Sequence, residues 1–228
     1  MGVGHAAVAL AATGIVRRVN VGWLIFAALL ADFALGVFAL VGLEQAHIPA
    51  DYARRHYLTF TFPYSHGLMP LLVYGVAAGF LISRSTSSNR TRTLLIVAAV
   101  VVSHFVLDAM VHVVGLPLAG EASPKIGLGL WNHLPLELGI ETMMSLVGVI
   151  VYLKVAGVDA SAVSRWGIPI FMLVFTALTW TQLFSTRPPT RGELLVSWIV
   201  ATPLFSAIAY WLDRRRVLAF TSPRQTLR

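Results

Sequence analysis

One apolar stretch of the sequence carries three ionisable side chains at intervals of four residues: His104, Asp108 and His112. Four residues turn an α-helix by about 400°, so the three side chains share one stripe of a helix. A central Asp costs roughly 2.5–3.5 kcal/mol on membrane insertion, and therefore needs a partner or a purpose. The stripe is either part of a metal site or a structural contact, since a buried His can also bond a carboxylate without any metal.

A second apolar stretch repeats this spacing with His133, Glu137 and Glu141. Two carboxylates on one apolar helix repel each other unless one is protonated or metal-bound, which favours a functional role. We predict that the two stretches form antiparallel neighbouring helices whose polar stripes face each other. His133 would then join the metal ligands, and Glu137 or Glu141 would act as general base.

Three other ionisable residues, His5, Asp32 and His66, lie in or beside apolar runs. Asp32 could instead hydrogen-bond a neighbouring helix, and His66 follows Ser65, which could simply be a helix N-cap. A bound divalent cation would offset the charge of clustered carboxylates, with zinc as the first candidate and manganese or iron as alternatives. The predicted ligands are His5, Asp32, His66, His104, Asp108, His112 and His133.

The composition indicates that these residues lie in a membrane. The chain is 57% hydrophobic and 12% charged, with a mean hydropathy of +0.77, and one crossing takes roughly 20 apolar residues of helix. We predict an all-α, polytopic membrane helix bundle of about six or seven transmembrane helices, forming a single integral membrane domain over 1–228. The candidate helices are 3–16, 19–43, 65–83, 93–116, 133–154, 166–185 and 194–213. The first is short, and is a tilted helix, a half-helix or a segment packed inside the bundle.

Charge placement predicts the topology. The net charge of +7 comes from basic residues at the ends of apolar runs, which argues against a nucleic-acid partner. Basic residues concentrate in alternate connections and in the tail that contains Arg216, so the positive-inside rule makes the C-terminus cytoplasmic. The candidate site residues then fall in the outer half of the bilayer. Because the chain has no cysteine, nitrogen and oxygen must hold any metal.

Residues near the predicted membrane surface have a simpler interpretation. Trp131, like other tryptophans near helix ends, is typical of an aromatic belt. Arg54 and Arg55 lie in an outer connection, where they either anchor the chain at the interface or bind an anionic headgroup. Neighbouring His47 and His56 are expected to be solvated.

Four segments, taken in order, resemble a known family. They are Gly4-His5-Ala6-Ala7, Leu29-Leu30-Ala31-Asp32, Tyr64-Ser65-His66 and Ser103-His104-x-x-x-Asp108. This order is similar to that of the YdjM-like, LexA-regulated bacterial inner-membrane proteins, a family of membrane-bound metal-dependent hydrolases. The likeness extends to about the end of the fifth candidate helix. It departs from the family pattern at Ala31, where a Pro is usual, and in the order Tyr-Ser-His, where Thr-His-Ser is usual.

The resemblance implies a location in the bacterial inner membrane and a lipid or other membrane ester as substrate. It also implies that His5, Asp32, His66, His104 and Asp108 are metal ligands or their close supports. The leading hypothesis is therefore a membrane-embedded metal-dependent hydrolase. The alternative is a proton- or cation-coupled transporter that uses the same buried carboxylates and histidines. A third hypothesis, a membrane subunit that only scaffolds a partner, gives no reason for so many buried ionisable groups.

Overall fold

The computed structural model describes residues 2–85, 89–157 and 162–221, and most of them are helical. The helices are α1 Gly2–Ala12, α2 Val21–Ala28, α3 Leu30–Leu40, α4 Tyr52–Arg55, α5 Leu68–Arg84, α6 Arg90–Val111, α7 Leu134–Ala156, α8 Ala162–Trp180, α9 Arg191–Leu195 and α10 Thr202–Thr221. A π-helical segment, Val196–Ala201, joins α9 to α10. Short 3-10 helices, Leu130–His133 and Thr181–Phe184, precede α7 and follow α8.

Two small antiparallel hairpins connect helices at one end of the bundle. Strand β1, Gln45–His47, pairs with β2, Thr59–Thr61. Strand β3, Leu116–Pro117, pairs with β4, Lys125–Ile126. The first hairpin carries the chain from the end of α3 to the start of α5, and the second lies between α6 and α7.

Four helical segments are long and apolar enough to cross a membrane: Arg90–Val111, Leu130–Ala156, Arg165–Phe184 and Arg191–Val217. The pair α2 and α3, bent by 53°, makes a fifth if the two helices form one span. Helices α1 and α5 have only 11 and 17 residues. The predicted helical fold, with helices that could span a membrane, is thus confirmed in outline. Length and composition support four or five crossings in the described part of the chain, fewer than the six or seven expected.

Helix α1 lies at the centre of the bundle, although it is one of the shortest apolar helices. Val3, Ala6, Ala9 and Leu10 are fully buried, and the helix packs against α2, α6 and α7. Small residues permit this close approach: a Cβ added at Gly148 of α7 would lie 2.7 Å from the Ala7 carbonyl oxygen. Of the three alternatives for the first segment, packing inside the bundle fits this burial.

The contacts between glycines and neighbouring helices fix the direction of each helix. Gly148 of α7 lies beside Ala7, and Glu141 lies beside Gly4, so α1 and α7 run parallel. In contrast, Gly75 and Gly79 of α5 approach Ala98 and Leu94 of α6, so these two helices are antiparallel. As a result, the starts of α1, α5 and α7 and the end of α6 meet at one end of the bundle. We call this the site end.

The opposite end is held by a buried ion pair. Asp213 and Arg216 of α10 are 0% and 2% exposed and are joined by two hydrogen bonds of 2.5 and 2.6 Å. The Asp213 carboxylate also accepts bonds from the Val21 N–H and the Tyr152 hydroxyl, while Arg216 donates to the Val19 carbonyl. Sequence reasoning placed Arg216 in a cytoplasmic tail. The structure instead continues α10 through it and buries its guanidinium.

We expect Arg216→Ala to lower the free energy of unfolding by about 3–5 kcal/mol, because it leaves the buried Asp213 carboxylate without its cation. Arg215→Ala is the matched control, since Arg215 is exposed on the same helix. Thermal unfolding in detergent should show a clearly lower Tm for the first variant alone. Equal Tm values for the two variants would contradict a structural role for the pair.

Candidate metal centre

Asp108 is the hub of a buried group of side chains at the site end. It is 3% exposed and lies in the last turn of α6, with His104 one turn before it and His112 just after the helix ends. The Nε2 atoms of His104 and His112 lie 3.2 and 3.4 Å from Asp108 Oδ2. The four-residue spacing thus brings three donors of one helix together, as predicted.

Three other segments add donors to this hub. His5 of α1 places Nε2 3.1 Å from Asp108 Oδ1. His66, just before α5, places Nε2 3.7 Å from Asp108 Oδ2 and 3.6 Å from Asp32 Oδ1 of α3. Asp32 keeps 27% of its side chain exposed, whereas the histidines are buried. All the predicted ligands except His133 therefore meet in one place.

These separations suit metal ligands. Two triplets have ligand atoms within 4.8 Å of one another: His5, His104 and Asp108, and Asp32, His66 and His104. Zinc ligands at 2.0–2.2 Å in a tetrahedron stand about 3.3–3.6 Å apart, close to the spacings observed here. The donor set contains only imidazole nitrogen and carboxylate oxygen, which suits zinc, manganese or iron. The buried group could hold a metal ion.

The hydrogen bonding of His104 suits a metal ligand. Its Nδ1 lies 2.7 Å from the Ala28 carbonyl oxygen and must donate a proton there. A neutral ring then has its lone pair on Nε2, which is buried, lies 3.2 Å from Asp108 Oδ2 and forms no hydrogen bond. A buried lone pair beside a carboxylate suits a shared metal ligand. Metal-binding histidines commonly donate their other N–H to a backbone carbonyl in this way.

The bend between α2 and α3 makes this hydrogen bond possible. The last carbonyls of a helix lack the partners that a continuing helix would supply. Helix α2 ends at Ala28, and Leu29 departs from helical geometry at φ −102° and ψ 12°. The Ala28 carbonyl is therefore available to His104. The same bend begins α3, which carries Asp32 to the site.

Glu44 positions His66 and was missed by sequence reasoning. Its buried carboxylate accepts hydrogen bonds from the backbone N–H groups of Tyr64 and Ser65, at 2.7 and 2.9 Å. Ser65 Oγ in turn lies 2.8 Å from His66 Nδ1. Glu44 thus holds the backbone of the loop before α5, and Ser65 holds the His66 ring. No local pattern marks Glu44, because the β1–β2 hairpin brings it beside residues about twenty positions away.

Aromatic rings cover the histidines on the site end. The Trp131 ring lies 4.0 Å from the His112 ring, and the Phe62 ring 4.9 Å from the His66 ring. Phe60 also lies against His112 at 5.8 Å. Trp131, predicted only as a residue of an aromatic belt, thus packs directly on a candidate ligand.

Glu137 and Glu141 lie beside the candidate ligands and outside both triplets. They are 3% and 2% exposed and line a cavity of about 220 Å³. Glu141 Oε1 accepts a 3.4 Å hydrogen bond from the N–H of Gly4, the residue before His5. The α6 and α7 stripes do not face each other directly as predicted, because α1 packs between them and contacts both.

His133 is the one predicted ligand that the structure leaves apart. Its side chain is exposed and it belongs to neither triplet. The physical reason is its backbone: His133 closes the 3-10 helix and is the N-cap of α7, at φ −128° and ψ 57°. It therefore does not share the α7 stripe that its sequence spacing suggested.

Arg55 stands at the wall of the cavity, away from the ligands. Both Arg54 and Arg55 donate to Asp51, and Arg55 also donates to the hydroxyl of Tyr57 at 2.6 Å. The hydrogen bonds from Arg55 and Arg54 lower the pKa of Asp51 to about 2. Because this carboxylate stays charged down to about pH 2, its ion pair is complete at all physiological pH values. The guanidinium of Arg55 is thus held in place beside the cavity.

Comparisons of the chain with known protein families, with curated proteins and with solved structures found no match.

Proposed function

We propose that this protein is a membrane-embedded hydrolase that cleaves a lipid ester or phosphoester with the help of a divalent metal ion, most simply zinc. The observation that supports it most is the buried group of His5, His66, His104 and His112 around Asp108, in which the Nδ1 of His104 is used by the Ala28 carbonyl and its Nε2 forms no hydrogen bond. The nearby pair of buried glutamates supports a hydrolytic role. The resemblance to the YdjM-like family, and with it a bacterial inner-membrane location, stays a prediction.

The ligands and the glutamates divide the chemistry between them. A divalent ion held by the histidines and Asp108 would supply a water of lowered pKa and would polarise the ester oxygen. Glu141, whose carboxylate contacts Gly4 beside His5, would accept the proton that the attacking water loses. The water oxygen would form a bond to the carbonyl carbon or phosphorus, the bond to the leaving oxygen would break, and Glu141 would return its proton to the leaving group. Glu137, one turn earlier, would assist in the same cavity.

An apolar groove supports a lipid as the substrate. It lies between α1 and α7, has a volume of about 660 Å³, and is lined by Val8, Ala11, Leu136, Ile140, Met143 and Val147 among others. Two residues of the groove, Leu136 and Ile140, directly precede Glu137 and Glu141 on α7. An acyl chain in this groove would bring its headgroup to the glutamate cavity.

We expect Gly139→Leu to raise KM for long-chain substrates about tenfold, because the larger side chain would displace the acyl chain and remove about 1.4 kcal/mol of van der Waals contact. Gly139 lines the groove, and a Cβ added there meets nothing within 4 Å, so the larger side chain fills the groove without disturbing the helices. KM for a short-chain, water-soluble ester should stay unchanged. Gly139→Ala is the control, and an equal rise for both chain lengths would argue against chain binding here.

We also propose that α1 and α5 complete a bundle of seven passes. Successive helices reverse direction from α1, through the bent α2–α3 pair, to α5, α6, α7, α8 and the joined α9–α10. This alternation would place the site end outside and the end of α10 in the cytoplasm, in agreement with the charge distribution. The short length of α1 is tolerable because protein, rather than lipid, surrounds it.

The test is an assay of purified, detergent-solubilised protein prepared without chelators. We expect bound zinc, manganese or iron, and release of a lipid hydrolysis product that stops on chelation and resumes when the metal is restored. Metal-loaded protein that cleaves none of a panel of lipid esters and phosphoesters would overturn the hydrolase.

The alternative is a proton- or cation-coupled transporter. The observation that favours it is the number of buried ionisable side chains at the site end, from Glu137 and Glu141 to the histidines around Asp108. Such chains of buried carboxylates and histidines also form proton or cation pathways. Proteoliposomes would then show a cation or proton flux that falls in Asp32→Asn and Glu141→Gln, and no lipid product would accumulate.

A further inference from the structure

The donor set at the site end is too large for one hydrolytic ion. A catalytic zinc ion takes three protein ligands and keeps a position open for water. Here the side chains around Asp108 are His5, Asp32, His66, His104 and His112. All of them on one ion would fill even a six-coordinate shell and leave no place for water. We propose that the centre holds two divalent ions bridged by Asp108, an inference that rests on the metal dependence of the proposed function.

The two oxygens of Asp108 face different partners, as a bridging carboxylate requires. Oδ1 lies 3.1 Å from His5 Nε2. Oδ2 lies 3.2, 3.4 and 3.7 Å from the Nε2 atoms of His104, His112 and His66. Paired hydrolytic ions stand about 3.5–4 Å apart, a distance that one carboxylate can span.

The two triplets assign the other ligands. His5, whose Nε2 lies on Asp108 Oδ1, would hold the first ion. Asp32 and His66 would hold the second ion on the Oδ2 side, with His112, whose Nε2 lies 3.4 Å from Oδ2, as an additional donor. His104 belongs to both triplets by distance, but its Nδ1 is used by Ala28, so its single lone pair serves one ion. Because its Nε2 lies 3.2 Å from Oδ2, that ion is the second. Asp108 is therefore the residue that can join the two.

The charge of the region agrees with two ions. Asp32, Asp108, Glu137 and Glu141 carry up to four negative charges within one buried region, and two divalent cations balance them. A two-ion centre also favours one class of substrate for the proposed hydrolase. Two ions can stabilise both the attacking and the leaving oxygen of an in-line displacement at phosphorus. The phosphoester is thus the favoured substrate class of the proposed hydrolase.

The test uses Mn²⁺ as the probe. Full-length protein is stripped with a chelator, loaded with Mn²⁺ in detergent and freed of excess metal. Wild type should bind Mn²⁺ at two ions per chain and give the exchange-coupled electron paramagnetic resonance spectrum of a close Mn²⁺ pair. Asp32→Asn and His5→Ala should each bind one ion and lose the coupling. His47→Ala and Asp51→Asn, which change a histidine and an aspartate of the outer connection, should remain like wild type.

The outcomes separate this inference from the proposed function. A wild type that binds one uncoupled ion overturns the pair but leaves a metal hydrolase standing. Retention of two coupled ions in Asp32→Asn overturns the ligand assignment. Absence of bound metal in wild type overturns both proposals. Because the wild-type spectrum alone reports coupling, the pair stays testable even if a variant fails to fold.

Discussion

Asp108→Asn is expected to purify without metal. The amide is neutral and keeps only one oxygen, so it can neither bridge ions nor balance their charge, although its size matches the carboxylate it replaces. Since Asp108 lies within 3.7 Å of four histidine nitrogens, we expect metal affinity to fall by at least ~100-fold, beyond the effect of losing an outer-shell partner. Elemental analysis after dialysis, beside wild type, measures the change.

Asp51→Asn is the matched control for this experiment. It makes the same chemical change in the outer connection, where Asp51 binds Arg54 and Arg55 and no candidate ligand. It should keep its metal. If Asp108→Asn also kept its metal, Asp108 would be a structural partner of the histidines, and the cluster would not be a metal centre built around it.

The sequence predicted which side chains meet at the site end better than it predicted the helices that carry them. Four-residue spacing on an apolar helix was sufficient to place His104, Asp108 and His112 on one stripe, because helix geometry alone relates them. The cost of inserting a charged group into a membrane was sufficient to predict that Asp32 and His66 contact other polar groups. Neither argument needs to know which helices are neighbours.

What the sequence could not supply was the position of α1. Its short length made it a weak candidate for a crossing, and the charge pattern gave no sign that it would separate α6 from α7. The structure shows that its small residues, such as Ala6 and Ala9, let it occupy the centre of the bundle. His5 is consequently a central donor. Helix–helix packing of this kind depends on contacts between residues far apart in the chain.

Two other differences have local causes that spacing cannot reveal. His133 has the right interval from Glu137 but lies at a helix start, where the backbone departs from helical angles. Arg216 lies in a basic run after an apolar stretch, as a topology signal does, yet it pairs with Asp213 inside the bundle. A four-residue interval is informative only within a continuous helix, and a basic residue marks the membrane surface only when it has no buried acid to pair with.

Glu141→Gln is expected to lower kcat for lipid hydrolysis by about 10²–10⁴-fold while leaving the metal content at the wild-type value. The first part follows from the loss of a general base, because glutamine has the shape of glutamate but cannot accept the proton of the attacking water. The second part follows from the geometry: Glu141 contacts Gly4 and lies in neither ligand triplet. Product release measured with metal-loaded protein tests both.

Two further variants test whether Glu141 is the general base. Glu137→Gln should reduce kcat less, since Glu137 shares the cavity but lies one turn farther from the Gly4 contact, and Glu121→Gln, in an exposed loop, should have no effect. If Glu141→Gln lost metal together with activity, Glu141 would be a ligand. If it kept both, the proton would be accepted elsewhere, and the buried Glu137 would be the next candidate. The value of the experiment lies in separating metal content from turnover, because a ligand and a general base in one cavity differ only in which of these two they change.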